Sequence, residues 1–476
     1  MRGRHVNTSP AVPSANGPTA DGFVAGSGTH PHDRAVAAVR RPRIVGVDVA
    51  RGLALVGMFG AHLAVASGPG LTLFDPSSWL DVVNGRSSIL FALLAGVSLA
   101  LMTVGIRDAT ADELRRVRLR LVGRGAAIFV VGLGVELLGS GIAVILSLYG
   151  VLYVLAAFTV HLRTKTLLIA GGGLIVLGPP LLALVGTLSP DLSGPGLALV
   201  VFGTYPITVW AALLCAGLII GRLDLTRVRT GLMMVVGGTL LCLGAYTLGA
   251  ILAPPQGDAS SSTAPSSSSG MVPGDEIDIS GLTCNKSDGI VACVAPERVS
   301  LFGGADSEDS YFDWVVSQDP PAAMLNAVTG VSPHSGGVLE IVGSGGFAVA
   351  VLGLCLLVTR YARWAVLPLA AYGAVPLTGY VVQAILIRAG ASAWLPNPVL
   401  SWVVLSILMM IAALIWTRTA GKGPLERLAA HAADAMALTT KQKAQRRPGQ
   451  RFPSLTSQEE SSSITRGACA PAEEEE

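Results

Sequence analysis

The sequence predicts an all-α fold: a polytopic transmembrane helical bundle of about ten spans with one long extracytoplasmic loop. Three observations predict it. Of the 476 residues, 51% are hydrophobic and only 13% are charged, with a mean hydropathy of +0.60; a soluble chain is about 25% charged. Ten apolar runs reach the length of a membrane-crossing helix. Lysine and arginine recur in every second connection between those runs.

Residues 1–42 are polar and rich in Gly, Pro and Ser, with no early apolar core. They predict a disordered cytoplasmic tail and no secretory signal. Residues 43–253 hold about seven spans, near 44–65, 86–106, 121–140, 142–161, 167–187, 197–220 and 231–253. Residues 337–428 hold about three more, near 337–358, 365–387 and 399–417. Pro179-Pro180, Pro206 and Pro376 fall inside these runs, so kinked or closely packed helices are expected. Residues 429–476 predict a second disordered cytoplasmic tail.

Orientation follows from the basic residues. Arg40, Arg41 and Arg43 precede the first span, and Arg107, Arg115, Arg116, Arg118, Arg120 and Arg124 follow the second. Arg163 with Lys165, then Arg222, Arg227 and Arg229, then Arg360 and Arg363, then Arg418 and Lys422 mark the later alternate connections. These segments are predicted to face the cytoplasm of a plasma-membrane protein, with both termini inside. The connection 254–336 is the opposite kind, with eleven acidic residues against Lys286 and Arg298. An acidic outer loop is expected, and its Cys284 and Cys293 predict an extracytoplasmic disulfide, with a free pair as the alternative. Cys215, Cys242 and Cys355 lie in spans and read as apolar filler.

The first span contains GVDVARGLALVGMFGAH, Gly46 to His62. Asp48, Arg51 and His62 each cost roughly 2.5–3.5 kcal/mol inside a membrane, so they are expected to face protein or a cavity. Asp48 and Arg51 stand three apart and can pair on one helix face. His62 lies about 16 Å further along the axis. Arg86 opens the second span after Trp79, Asp81 and Asn84; His334 comes just before the eighth, six residues from Glu340. Two histidines are thus expected at one membrane depth, where imidazole can serve as a general base near neutral pH. Glu136, inside the third span, is a further candidate. Bland readings stand beside these. A histidine at a helix end is more often interfacial than catalytic, Asp48 with Arg51 can simply close a helix start, and Glu136 can balance an arginine. There is no phosphate-binding Gly-x4-Gly-Lys loop, no Gly-x-Ser-x-Gly elbow, and no metal-spaced Cys/His set, so no metal is expected.

RIVGVDVARGLALVGMFGAH followed by NGRSSILFALLAGVSLAL resembles the start of the heparan-alpha-glucosaminide N-acetyltransferase-like family of integral membrane acyltransferases, in its bacterial, actinobacterial-type form. SPHSGGVLEIVGSGG (332–346) is similar to a segment of the same bacterial proteins. GAVPLTGYVVQAI (373–385) and GPLERL (423–428) resemble the closing segments of a related bacterial membrane family. The resemblance covers roughly 43–250 and 335–430. It implies transfer of an acyl group, usually acetyl, from cytosolic acyl-CoA to an acceptor across the membrane, such as an envelope sugar, glycolipid or lipid. On that basis His62 is the expected base or acyl carrier, with His334 and Glu340 assisting. Asp48, Arg51 and Arg86 are the expected cofactor-binding residues, Arg86 facing an oxyanion or a donor phosphate. One departure stands out: animal lysosomal members carry asparagine where this chain has His62, and their histidine follows in the next outer loop. No histidine occurs here between His62 and His161. Membrane lipids, acyl-CoA and the acceptor are the expected partners; nucleic acid is not, and a homodimer is allowed. A transporter and a non-catalytic envelope-assembly partner are the alternatives.

Overall fold

The computed structural model describes residues 43–64, 76–106, 109–189, 205–252, 283–287, 290–294 and 311–445. It is an all-helical bundle with one small hairpin. In chain order the elements are α1 Val45–Leu63, a 3-10 turn Pro76–Val83, α2 Arg86–Met102, α3 Ala111–Leu137, α4 Leu146–Thr159, α5 Thr164–Leu188, α6 Ile207–Ile220 and α7 Val228–Leu252. There follow β1 Thr283–Ser287, β2 Ile290–Val294, α8 Tyr311–Ser317, α9 Pro320–Thr329, α10 Val338–Tyr361, α11 Leu367–Gly373, α12 Pro376–Arg388, α13 Pro398–Thr419 and α14 Pro424–Gln445.

The described parts of the ten apolar runs are largely helical, and residues 197–204 of the sixth lie outside the described residues. Six helical stretches among the described residues are long and apolar enough to cross a membrane: Val45–Leu63, Ser78–Met102, Thr164–Leu188, Val228–Leu252, Val338–Tyr361 and Pro398–Thr419. A seventh arises if α11 and α12, bent by 89°, count as one broken span. α4 and α6 have 14 residues each, about 21 Å of helix, less than the roughly 30 Å hydrocarbon core. α3 carries five arginines along its first half. The acidic segment contains the β1–β2 hairpin and the short helices α8 and α9, and the register sets Cys284 directly opposite Cys293. Predicted tail 1–42 and most of the acidic loop lie outside the described residues, as does 446–476.

The helices sort by what they bury. α1 and the stretch ending in α2 have 67% and 78% of their apolar windows covered by protein, whereas α5 and α7 have 17% each. The outer helices turn apolar faces outward, as a lipid solvent requires. α1 sits in the middle and packs on α2, α10, α11, α12 and α13. Its main chain is gripped there: Gln383 Nε2 donates to Leu55 O at 2.9 Å and Trp402 Nε1 donates to Val56 O at 2.9 Å.

The break between α11 and α12 has a local cause. Pro376 has no N–H for a continuous helix and disfavours helical backbone at Val375, which sits at φ −124, ψ 54. A break inside a bundle orphans carbonyls on one side and amides on the other. Arg51 Nη1 donates to Gly373 O, the last residue of α11, at 2.9 Å. On the other side the Glu426 carboxylate accepts from Leu377 N (2.7 Å), Thr378 N (3.1 Å) and Thr378 Oγ1 (2.6 Å). A cation thus meets the negative end of one half-helix and a carboxylate the positive end of the other.

Glu426 belongs to α14, which is longer than the sequence predicts. The tail was expected from residue 429, yet the helix runs to Gln445. Ala429, Ala433 and Ala437, spaced four apart, are buried, and α14 packs along α3. Mean hydropathy misses this helix because its contact stripe is alanine rather than large apolar residues.

The latch gives a stability prediction. Glu426→Ala removes three charge-assisted hydrogen bonds at a helix start and should destabilise the protein by about 2–3 kcal/mol. Reversible unfolding in mixed micelles, followed by circular dichroism, measures it, and Glu426→Gln should fall between. An alanine variant that unfolds with the wild type would show that the latch carries no load.

Candidate functional site

At the end of the bundle where α1 finishes, a cavity of about 180 Å³ opens among loops. Its wall includes Met58 and His62 of α1, Asn84 and Gly85 before α2, Ser87 and Ser88 in the first turn of α2, and Ile145 before α4. Tyr205, His334 and Tyr380 also line it. The two histidines expected at one depth are therefore brought to one cavity. They are close enough for charge on one imidazole to act on the other.

His62 ends α1 in its last turn, at the negative pole of the helix dipole. His334 is positioned by backbone rather than by its ring. Its φ is +66, a left-handed conformation that costs a non-glycine residue about 1–2 kcal/mol. Glu340, buried at 3% exposure in the first turn of α10, holds that loop. Its carboxylate accepts from His334 N (2.9 Å), Ser335 Oγ (3.2 Å) and Gly336 N (2.7 Å). Glu340, expected to assist His62, thus acts here on the main chain of the His334 loop. The His334 ring meets Tyr205 edge-on, 6.2 Å between centroids. The residue is exposed by area, yet protein crowds its ring on the cavity side, and that desolvation lowers its pKa below 6.5.

The other expected residues sit elsewhere. Arg86 is 8% exposed and does not line the cavity. Its guanidinium stacks 5.1 Å from the Tyr246 ring, donates to Asp81 O at 3.3 Å, and lies within electrostatic reach of Glu340. Asp81 also accepts from Asn84 Nδ2 at 3.0 Å. Asp48 and Arg51 form the expected ion pair, 3.0 Å apart, with Asp48 buried. Their larger duty is to tie α1 to α11, where Gly373 packs so closely on the Asp48 carbonyl that a side chain there has no room. Arg51 Nε is buried with no partner among the described residues. Glu136 is exposed and accepts from Ser147 Oγ at 3.2 Å. Cys215, Cys242 and Cys355 are free thiols, and no group of three or more potential metal ligands forms among the described residues.

Tyr205, Tyr380, Ser87 and Ile145 were not singled out from the sequence. Tyr380 Oη accepts from Ile145 N at 3.3 Å, and Tyr205 Oη donates to Ala143 O at 3.4 Å. Each tyrosine stands in an apolar run whose periodicity carries no sign of a cavity. No family model, curated protein or solved structure matches this chain.

The lowered pKa of His334 has a sign. The unfolded chain takes up a proton near pH 6.5 and the folded chain only lower. Folding is therefore opposed as pH falls through 6.5. Between pH 7.5 and 5.5 this contribution should lower the unfolding midpoint, and His334→Gln should make the drop smaller than in the wild type. A histidine-free loop with an unchanged slope would contradict the assignment.

Proposed function

We propose that the protein is a membrane acyltransferase that moves an acyl group, most simply acetyl, from cytosolic acyl-CoA to an extracytoplasmic sugar, glycolipid or lipid acceptor. The observation that carries this reading is the shared cavity of His62 and His334. Two imidazoles that line a small pocket suit proton handling at an acceptor hydroxyl or amine. His62 takes the proton as the acceptor adds to the thioester carbonyl, and returns it to the departing thiolate. His334 supports that exchange from the facing wall, and Glu340 holds its loop. The resemblance of the opening motif to the heparan-alpha-glucosaminide N-acetyltransferase-like family agrees with this chemistry.

The ten-segment arrangement, with both termini cytoplasmic in a plasma membrane, belongs to the same reading. On this reading the short helices α4 and α6 count as crossings together with the residues that flank them. The donor would approach from the Asp48 end of α1, where Arg51 Nε lacks a partner among the described residues. A transporter is the second reading, because broken helices also mark substrate paths. Here the broken ends are hydrogen-bonded by Arg51 and Glu426, which ties the break into the bundle rather than leaving both ends open.

The test is consumption of radiolabelled acetyl-CoA by the detergent-purified protein. Wild type should release coenzyme A, and His62→Ala should lower the rate by about a hundredfold or more, the usual scale for a general base. Undiminished release by His62→Ala, with the fold intact, rejects the assignment.

The acidic loop carries a separate proposal, that Cys284 and Cys293 are disulfide-bonded outside the membrane. Directly opposed residues of an antiparallel ladder have Cα atoms about 4.5–5.5 Å apart, within the range a disulfide spans. Intact-mass analysis after alkylation without reductant should find these two cysteines unmodified and the other four alkylated; labelling of both rejects the bond.

A further inference from the structure

The first turn of α2 opens on the cavity without a cap. Its N-cap is Gly85, at φ +69, which has no side chain to accept a hydrogen bond. The amides of Ser87 and Ser88, in the first turn, therefore lack intrahelical acceptors. Ser88 turns its hydroxyl back to Gly85 O at 2.6 Å. Ser87 does not. It is 8% exposed, lines the cavity, and its hydroxyl has no hydrogen-bond partner among the described residues. Gly57 of α1 makes room for it, since any side chain there would strike the Ser87 hydroxyl. Tyr149 Oη, behind the cavity wall and within electrostatic reach of Tyr205 and Tyr380, is buried with no partner among the described residues. Buried polar groups are left unpaired rarely, and a ligand is one reason.

The charge balance points to the sign of that ligand. Among the described residues, no carboxylate lines the cavity. Glu340 is taken up by the 334–336 main chain and has Arg86 within electrostatic reach. Among the described residues, the start of a 17-residue helix, the Ser87 side chain and two imidazoles line the space. Helix starts of this kind attract anions.

We propose that this corner of the cavity is an oxyanion-binding site, which seats a phosphate or carboxylate group carried by the ligand. The amides of Ser87 and Ser88 and the Ser87 hydroxyl donate to its oxygens. It follows that the acceptor is an acidic molecule, a step that rests on the acyl-transfer reading; anion binding itself does not.

Thermal unfolding of the purified full-length protein in detergent tests the site, with inorganic phosphate and acetate compared against chloride at matched ionic strength. Phosphate is excluded from protein surfaces and strengthens any fold, so the readout is the difference between wild type and Ser87→Ala. Wild type should gain at least twice the midpoint rise of Ser87→Ala, while the two unfold together in chloride. Ser87→Asp, which places a carboxylate in the first turn of α2, should unfold above wild type in chloride and no longer respond to either anion. A response to phosphate alone assigns a phosphoryl group, and to acetate alone a carboxylate. Equal responses of wild type and Ser87→Ala, or a wild-type response no larger than in chloride, overturn the proposal. If Ser87→Asp fails to fold, the Ser87→Ala comparison decides. Acetyl-CoA consumption on the same preparations separates the two readings. An anion response without transfer keeps the site and rejects acyl transfer, and transfer without a response does the reverse.

Discussion

Unpaired backbone at a helix break is the constraint on which the bundle depends. In an apolar surrounding each orphaned amide or carbonyl costs several kcal/mol, because no water can replace the lost partner. The α11–α12 break meets this with two side chains from distant parts of the chain. Arg51 reaches from α1 to the α11 carbonyl end, and Glu426 reaches from α14 to the α12 amide end. Neither contact is local in sequence, so the break closes only once the bundle has assembled. Asp48 keeps Arg51 in place, and the close approach of Gly373 to the Asp48 carbonyl lets α1 and α11 meet backbone to backbone.

The same device sets the cavity. α12, held at its start by Glu426, carries Tyr380 to the wall one turn later and Gln383 onto the α1 carbonyl at Leu55. α1, held at its other end by Arg51, delivers His62. The C-terminal helix is thus mechanically continuous with the pocket, through α12. Glu340 repeats the logic on a smaller scale, with a carboxylate at a helix start that folds the preceding loop back and holds His334 at a positive φ. A left-handed histidine kept against its conformational cost is the kind of local strain that structures retain at working sites.

Much of this was legible in the sequence. The apolar runs gave the positions of the helices, because a membrane or buried helix must cover its backbone with some twenty apolar side chains. The Asp48–Arg51 pair followed from a spacing of three, and the common depth of His62 and His334 from their places at run ends. Other features were hidden. Ser87 looks like any small residue in an apolar run, and Tyr205 and Tyr380 like aromatic filler. Glu426 lies in a segment whose alanine stripe barely registers as apolar. Arg86 and Glu340 are the instructive cases: the resemblance implied a place for both at the reaction, and each also has a structural partner that the sequence does not reveal.

By itself, the sequence determined where the long apolar helices lie, which segments must avoid water, and which ionisable groups need a protected place, since these follow from side-chain chemistry and local periodicity. Only the tertiary structure decided which of those groups share a space. That choice turns on helix crossings, the bend before Pro376 and the loop backbone at His334, each set by contacts between residues hundreds of positions apart or by single dihedral angles that no pattern records.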